Sequence, residues 1–291
     1  MNYFLATLFI FQLFGLSSSQ ATFVSGDLNI SQKNPVLIDS TNNQSIEAKA
    51  GIIIDLESDT LIKSKNANKS LPIASITKLV TAYLVIQKSK LSEIVTVGEE
   101  VKLIKDQKIP PTIMGLKIGE RIKIESLLEG LLIVSANDAA VVLAQYLFGS
   151  QKTFVNEMNR WSYLVGLSDT RFVDPDGLSA KNISTATDLS ELARIVLFNE
   201  DIARIVRIKE KKVLSADGSV SHYLRSTNKL LLEENDVIGL KTGFTEEAGQ
   251  SIIVAMEKNN HTIIVVLLNS LDRFAEAKKL LDWVFASYQW K

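Results

Sequence analysis

The sequence of 291 residues contains no cysteine, so disulfides, thiolate nucleophiles and cysteine-based metal sites are excluded. Its two histidines, His222 and His261, leave almost nothing for a transition-metal site, and we expect both at surface strand or turn positions. Excess charge is also missing, because 32 lysines and arginines face 33 aspartates and glutamates, for a formal net charge of −1. Without the basic excess that neutralises phosphates, we expect no nucleic-acid partner. Chemistry by the protein's own side chains, without a metal or cofactor, is favoured.

A long hydrophobic run is lacking as well. The apolar stretch from Phe4 to Leu16 is shorter than the roughly 20 residues that a bilayer-spanning helix needs. Small residues follow it, with Ser19 and Ala21 at the positions that a signal peptidase prefers. We therefore predict a secretory signal over residues 1–21, with an uncleaved membrane anchor as the alternative. The polar residues 22–46 predict a linker.

Residues 47–291 are predicted to form one folded domain of the α+β class. Beta-branched runs between turn residues predict strands, and apolar residues at three- and four-residue steps predict helices. The predicted strands are 51–55, 61–62, a hairpin over 213–224, 237–240, 251–256 and 262–268; the predicted helices begin at residue 75 and cover 124–133, 138–147, 153–164, 188–198 and 271–288. Strands at both ends with helices between them favour one mixed domain.

With no cysteine and almost no histidine, a nucleophile needs a different partner, and serine with lysine is one solution. A lysine amine acts as a general base when burial and a neighbouring cation lower its pKa. Residues i and i+3 share a face of a helix, so Ser-x-x-Lys places hydroxyl and amine side by side. This spacing occurs at Ser75–Lys78 and at Ser226–Lys229. Only Ser75 opens an apolar-periodic helix, so we assign the nucleophile to Ser75.

Two further short motifs follow in the chain. Ser135-Ala136-Asn137 separates two apolar helical stretches and places a hydroxyl and an amide on a tight connection. Lys241-Thr242-Gly243 ends a predicted strand. Its lysine and threonine can hold a carboxylate, and its glycine allows an extended substrate to approach the strand edge.

Taken in this order, the three motifs resemble those of penicillin-binding proteins and serine β-lactamases. The surrounding residues are similar to the D-alanyl-D-alanine carboxypeptidase branch, the S11 serine peptidases, over about residues 46–285. The chain ends soon after, so it resembles a short form that lacks the C-terminal β-sandwich domain. The segments that carry the resemblance are Pro72–Leu79, Met114–Glu120, Ser126–Leu132, Ser135–Ala140, Phe172–Leu178, Thr227–Asn228 and Gly239–Gly249.

The resemblance implies a role for each matching residue. Ser75 is the expected acyl-ester nucleophile, Lys78 its base, and Ser135 the proton relay to the leaving amine. The expected substrate-binding residues are Asn137, Lys241, Thr242, Gly243, Phe244 and Arg273, with backbone N–H groups of Ser75 and Phe244 as the oxyanion hole. We also expect Lys241 to lower the pKa of Lys78 by like-charge repulsion. The role of Asp176 stays open.

The resemblance also implies a fold, an activity and a location. The expected fold is β-lactamase/transpeptidase-like, with an antiparallel sheet flanked by terminal helices and an all-helical subdomain; residues 47–291 are then the catalytic domain. The expected activity is a serine-type D,D-peptidase that removes the terminal D-alanine of peptidoglycan stem peptides through an acyl-enzyme, in peptidoglycan synthesis, cell-wall biogenesis and cell shape. β-Lactam antibiotics are the implied acylating inhibitors. We expect a periplasmic or extracellular monomer, associated with the cell wall or peripherally with the membrane.

Three alternatives remain open at this point. A D,D-endopeptidase would use the same acylation chemistry on cross-linked strands. A class A β-lactamase would need a carboxylate to activate the deacylating water, in a Glu-x-x-Leu-Asn segment that this sequence does not contain between its second and third motifs. A non-catalytic peptidoglycan-binding protein is disfavoured because all three motifs are intact.

Overall fold

The computed structural model describes residues 33–41, 43–104 and 112–291. The predicted signal over 1–21 and the first part of the predicted linker lie outside the described residues. The compact unit begins at Lys33. None of the helices in the described ranges has the length and apolar character needed to cross a bilayer.

A five-stranded antiparallel sheet forms the centre of the domain. Its strands lie, from one edge to the other, in the order β10 Val237–Thr245, β11 Gly249–Lys258, β12 His261–Ser270, β2 Ala50–Asp55 and β3 Thr60–Lys65. Beta-branched residues dominate the three inner strands, which suit a surface that is buried on both faces. Asn259 and Asn260 join β11 to β12 with φ of 55° and 62°, which asparagine tolerates in a tight hairpin.

Helices cover both faces of the sheet. The helices of the described residues are α1 Lys78–Lys88, α2 Ile124–Ile133, α3 Asn137–Phe148, α4 Gln151–Leu164, α5 Ala186–Leu197, α6 Glu200–Val206, α7 Lys229–Glu233 and α8 Arg273–Ser287, with 3₁₀ helices at Ala74–Thr77 and Glu99–Ile104. The C-terminal helix α8 packs Ala277 and Leu281 on one face, against Val254 and Val265 of the sheet. The other face joins α1 to α6 in the larger core. The mixed α+β fold with a helical subdomain is therefore confirmed.

Four short two-stranded ribbons tie distant segments together. They are β1 Pro35–Leu37 with β13 Tyr288–Trp290, β4 Leu71–Pro72 with β7 Ile183–Ser184, β5 Ile94–Thr96 with β6 Arg121–Lys123, and β8 Glu210–Leu214 with β9 Ser221–Arg225. The last is the hairpin that the sequence predicts around Asp217-Gly218. Strand β1 lies inside the predicted linker, and its pairing with β13 connects residues 35–37 to the end of α8.

The end of the sheet is closed by a buried carboxylate on α8. Glu276 accepts hydrogen bonds through Oε1 from the backbone N–H groups of Glu47 and Ala48, at 2.7 and 2.8 Å, and through Oε2 from the Ser270 hydroxyl. Only 8% of Glu276 is exposed. The carboxylate thus joins the segment that enters β2 to the end of β12.

We predict that Glu276→Ala lowers the free energy of unfolding by about 3 kcal/mol, because it leaves buried N–H donors without a partner. The matched control is Asp282→Ala on the same helix, which removes an exposed ion pair with Lys278 and is expected to cost less than about 1 kcal/mol. Urea denaturation of the three proteins measures the difference. Equal losses in the two variants would contradict the role of Glu276.

Candidate active site

The Ser75 and Lys78 side chains meet at the junction of two helices. Ser75 lies in the 3₁₀ helix Ala74–Thr77, and Lys78 is the first residue of α1. The helix predicted to begin at residue 75 therefore starts as a 3₁₀ turn that leads into α1. A 3₁₀ helix has three residues per turn, so residues i and i+3 eclipse each other. The Ser75 Oγ and Lys78 Nζ atoms are accordingly 2.9 Å apart.

The Lys78 amine is fully buried and has three oxygen neighbours. Besides Ser75 Oγ, it donates to Asn137 Oδ1 at 2.5 Å and to the backbone carbonyl of Asp176. The amide and carbonyl oxygens can only accept, so they take two N–H groups of the amine. A neutral amine has two N–H groups and one lone pair, so the lone pair then faces the Ser75 hydroxyl. This arrangement can remove the proton of Ser75.

Burial, rather than a neighbouring cation, lowers the pKa of Lys78 to about 8, while Asp176, Asp174 and Asp138 act in the opposite direction. Lys241 is also fully buried, and burial followed by repulsion from Lys78 and Arg273 lowers its pKa well below the ordinary value. We expected repulsion from Lys241 to lower the pKa of Lys78, whereas burial is the largest cause.

The second motif lies at the start of α3. Ser135 is 7% exposed and has a left-handed φ of 64°, which turns the chain so that Asn137 reaches Lys78. The neighbouring Asp138 accepts backbone N–H groups from Met114 and Gly115, at 3.0 and 2.8 Å. It thereby fixes the segment that precedes β6. Asp138 is not among the site residues predicted from the sequence, although an aspartate in the first turn of a helix is a usable signal.

The third motif lies on β10, at the edge of the sheet. A β-bulge between Val237 and Gly239 precedes Lys241. The Gly243 backbone then passes so close to the nucleophile's turn that a Cβ there would lie 2.8 Å from the Ile73 carbonyl oxygen and 3.2 Å from the Ser75 nitrogen. Only glycine fits this approach without displacement. The first and third motifs are therefore in direct backbone contact.

Polar side chains surround this strand. The Arg273 guanidinium donates to the Gly243 carbonyl oxygen at 2.7 Å. Thr242 Oγ1 lies 3.0 Å from Thr227 Oγ1, and the Lys241 amine donates to the backbone oxygen of Thr242. Phe244 is exposed at the end of the motif. The structure thus brings the predicted site residues to one place and adds Thr227 to them.

The second Ser-x-x-Lys sequence does not form a comparable pair. The Ser226 hydroxyl accepts from the Asn228 backbone N–H at 3.2 Å, and the Lys229 amine lies over the Phe274 ring at 5.8 Å. These side chains serve the start of the short helix α7 and its packing on α8. The choice of Ser75 over Ser226 agrees with this geometry.

The two histidines lie outside the cleft. Our expectation of a surface position is wrong for His222, which is buried, with Nδ1 2.9 Å from the Met114 carbonyl oxygen and Nε2 2.7 Å from Glu120. His261, with Asp55 and Glu57, offers ligand atoms within 4.8 Å of one another at the opposite end of the sheet. Hydrogen bonds from Ser58 and Trp290 already occupy the Asp55 oxygens, so the group fits a structural role in the β2–β3 hairpin.

Comparisons with known proteins agree with this geometry. The profile of the peptidase S11 family, described as D-alanyl-D-alanine carboxypeptidase, matches residues 38–271. D-alanyl-D-alanine carboxypeptidase DacF of Bacillus subtilis is 30% identical over 258 residues, which cover 86% of this chain and 65% of DacF. The D-alanyl-D-alanine endopeptidase of Escherichia coli is 31% identical over 247 residues, which cover 82% of this chain and 77% of that protein.

Solved structures show the same fold. A mutant of Streptomyces K15 DD-transpeptidase superposes with a TM-score of 0.79 at 26% identity, covering 84% of this chain and all of that chain. The family match contains all three motifs around Ser75, Ser135 and Lys241. The chain therefore belongs to the S11 peptidase family.

Proposed function

We propose that this protein is a serine-type D,D-peptidase that removes the terminal D-alanine of peptidoglycan stem peptides through an acyl-enzyme on Ser75. The observation that carries the proposal is the buried Lys78 amine, 2.9 Å from Ser75 Oγ, with its other two contacts made to acceptor-only oxygens. Such an amine is held in the orientation of a general base before substrate arrives. Peptidase activity is named for the relatives, and the chain spans 65% of the length of DacF.

The first half of the proposed reaction is acylation. Ser75 Oγ attacks the carbonyl carbon of the D-alanyl-D-alanine bond, and its proton passes to Lys78. The Ser75 and Phe244 backbone N–H groups stabilise the oxyanion, an assignment supported by the contact between Gly243 and the Ser75 nitrogen. Ser135 relays the proton to the leaving nitrogen, and D-alanine departs. Water then cleaves the ester, which restores the Ser75 hydroxyl and releases the shortened peptide.

Substrate recognition rests on the carboxylate of the terminal D-alanine. Lys241, Thr242 and Arg273 lie beside Gly243, where this carboxylate would bind. A carboxylate next to the buried Lys241 favours its ammonium form, so binding opposes the effect of burial on the pKa of Lys241. The carboxylate of a penicillin has the same chemistry, which supports β-lactams as acylating inhibitors. Because peptidoglycan lies outside the cytoplasmic membrane, we place the protein there, in the periplasm or at the cell wall.

Endopeptidase activity is the second candidate. It is favoured by one comparison: the chain covers 77% of the E. coli endopeptidase but 65% of the carboxypeptidase DacF. Both activities use the same acylation chemistry at Ser75. They differ in whether the departing amine belongs to D-alanine or to a cross-linked strand.

We predict that Ser75→Ala abolishes covalent labelling by a fluorescent penicillin, whereas Ser226→Ala labels like the wild type. Each variant loses one hydroxyl in the same spacing, but only Ser75 lies beside a buried amine. Gel fluorescence after a fixed incubation measures the adduct. Labelling that survives in Ser75→Ala would overturn the assignment, and rapid hydrolysis of the penicillin without a lasting adduct would indicate a β-lactamase.

We predict that purified muropeptide monomers with a D-alanyl-D-alanine end lose one D-alanine. Mass spectrometry of the products from monomers and from cross-linked dimers measures the two activities side by side, with Ser75→Ala as the control. Cleavage of dimers with intact monomers would replace the carboxypeptidase assignment by the endopeptidase one. Penicillin labelling without cleavage of either substrate would contradict both.

We predict that the second-order rate of penicillin acylation rises with pH and is half-maximal near pH 8. The general base must be neutral, and the pKa of Lys78 is about 8. Below that pH the amine carries a proton, so the rate falls by about tenfold per pH unit. Circular dichroism across the same pH range is the control for folding. A rate that stays flat from pH 9 to pH 5 would exclude a lysine base.

A further inference from the structure

The loop Asp174–Leu178 presses against the nucleophile's turn. Gly177 has a φ of 83°, and a Cβ there would lie 2.1 Å from the Ala74 carbonyl oxygen. The loop backbone therefore packs directly against the backbone that carries Ser75, with no room for a side chain at residue 177. Asp176 comes directly before this contact, and its carbonyl oxygen is the acceptor for Lys78.

Hydrogen bonds prevent this loop from moving away. Asp174 accepts from the backbone N–H groups of Gly177 and Ser179, at 2.6 and 2.8 Å, and from the Asn182 side chain at 2.7 Å. The Thr81 hydroxyl on α1 donates to the Pro175 carbonyl oxygen at 2.6 Å. The position of Asp176 beside Lys78 is therefore fixed by both the loop and the helix.

The Asp176 carboxyl is buried next to the base. Asp176 is 4% exposed, and Oδ1 accepts a single backbone hydrogen bond from Leu178 at 3.1 Å. Burial and the neighbouring Asp174 raise its pKa to about 7, although the Lys78 charge acts in the opposite direction. A carboxyl that changes charge near neutral pH thus lies beside the amine that must lose its proton.

We infer that Asp176 is a positioning residue for the reaction: its carboxyl controls whether the Lys78 amine holds a proton when substrate binds. An ionised Asp176 stabilises the Lys78 ammonium, which cannot accept the Ser75 proton. Without that negative charge the pKa of the Lys78 amine is lower, so the amine accepts the Ser75 proton at a lower pH. The inference rests on the proposed function, because it assigns Lys78 as the base.

Other charged groups also act on Lys78. Asp174 and Asp138 favour the ammonium as well, but both carboxylates hold two or more backbone N–H groups and brace loops. On the far side of the cleft, Lys241 opposes the ammonium whenever it is itself protonated. Asp176 differs from these two acids because its carboxyl accepts a single backbone hydrogen bond, from Leu178, and otherwise shares a side-chain hydrogen bond with Asp174.

The test compares the pH dependence of penicillin acylation in the wild type and in Asp176→Asn. Asparagine keeps an oxygen for the Leu178 N–H but carries no charge. We expect the acid limb of the rate profile to move by about one pH unit toward lower pH. At pH 6.5 the acylation rate of the variant, relative to its own maximum, is then about tenfold higher than that of the wild type. Asp176→Glu, which keeps the charge, is expected to retain the wild-type limb. Asp201→Asn on α6, away from the cleft, is the matched control.

Each outcome is decisive. If Asp176→Asn has a lower rate at every pH but an unmoved acid limb, the role of Asp176 is purely structural and the inference is overturned. If the wild type is not labelled at any pH, the proposed function is overturned instead. If Asp176→Asn does not fold, carbon-13 NMR of aspartate carboxyl groups in the wild type replaces it. The Asp176 resonance, absent from Asp176→Glu, is expected to titrate near pH 7. Titration below pH 5 would overturn the inference.

Discussion

The burial of one amine is the constraint on which the rest of the site depends. An amine removed from water is destabilised unless hydrogen bonds replace its solvation. Lys78 finds these partners on three separate segments: the 3₁₀ helix with Ser75, the start of α3 with Asn137, and the loop with Asp176. Segments that are 59 and 98 residues from Lys78 in sequence must therefore be in place before the amine is satisfied. The same burial brings its pKa within reach of neutral pH, so folding and reactivity share one cause.

Apart from asparagine and aspartate, which tolerate a left-handed φ, the described non-glycine residues with a positive φ lie at the three motifs. Ala74, directly before the nucleophile, has a φ of 48°; Ser135 has 64°; and Leu240, directly before Lys241, has 93°. Residues with a Cβ rarely adopt this region, and each such residue costs of order 1–3 kcal/mol. The surrounding structure compensates for the cost, since Ala74 and Leu240 are buried. Each turn directs a side chain toward the cleft. An unstrained backbone would place that side chain elsewhere.

The sequence predicts those parts of the fold that repeat a local pattern. The inner strands and the long helices follow from beta-branched runs and from three- and four-residue apolar steps, and the site residues follow from the order of three motifs. Contacts between distant residues leave no such pattern. His222 looks like a surface residue because its partners, Met114 and Glu120, are about a hundred residues away. The acceptor on Asp176 is a backbone carbonyl, and no residue type signals it.

The pairing of β1 with β13 has a consequence for how the domain can be handled. The Trp290 side chain donates to Asp55, the last residue of β2. This end of the sheet lies opposite the end where Gly243 meets Ser75. The last residues of the chain therefore leave the domain remote from the cleft, separated from it by the width of the sheet. A bead or fluorophore attached at this end of the sheet would therefore leave the cleft accessible to a polymer as large as the cell wall.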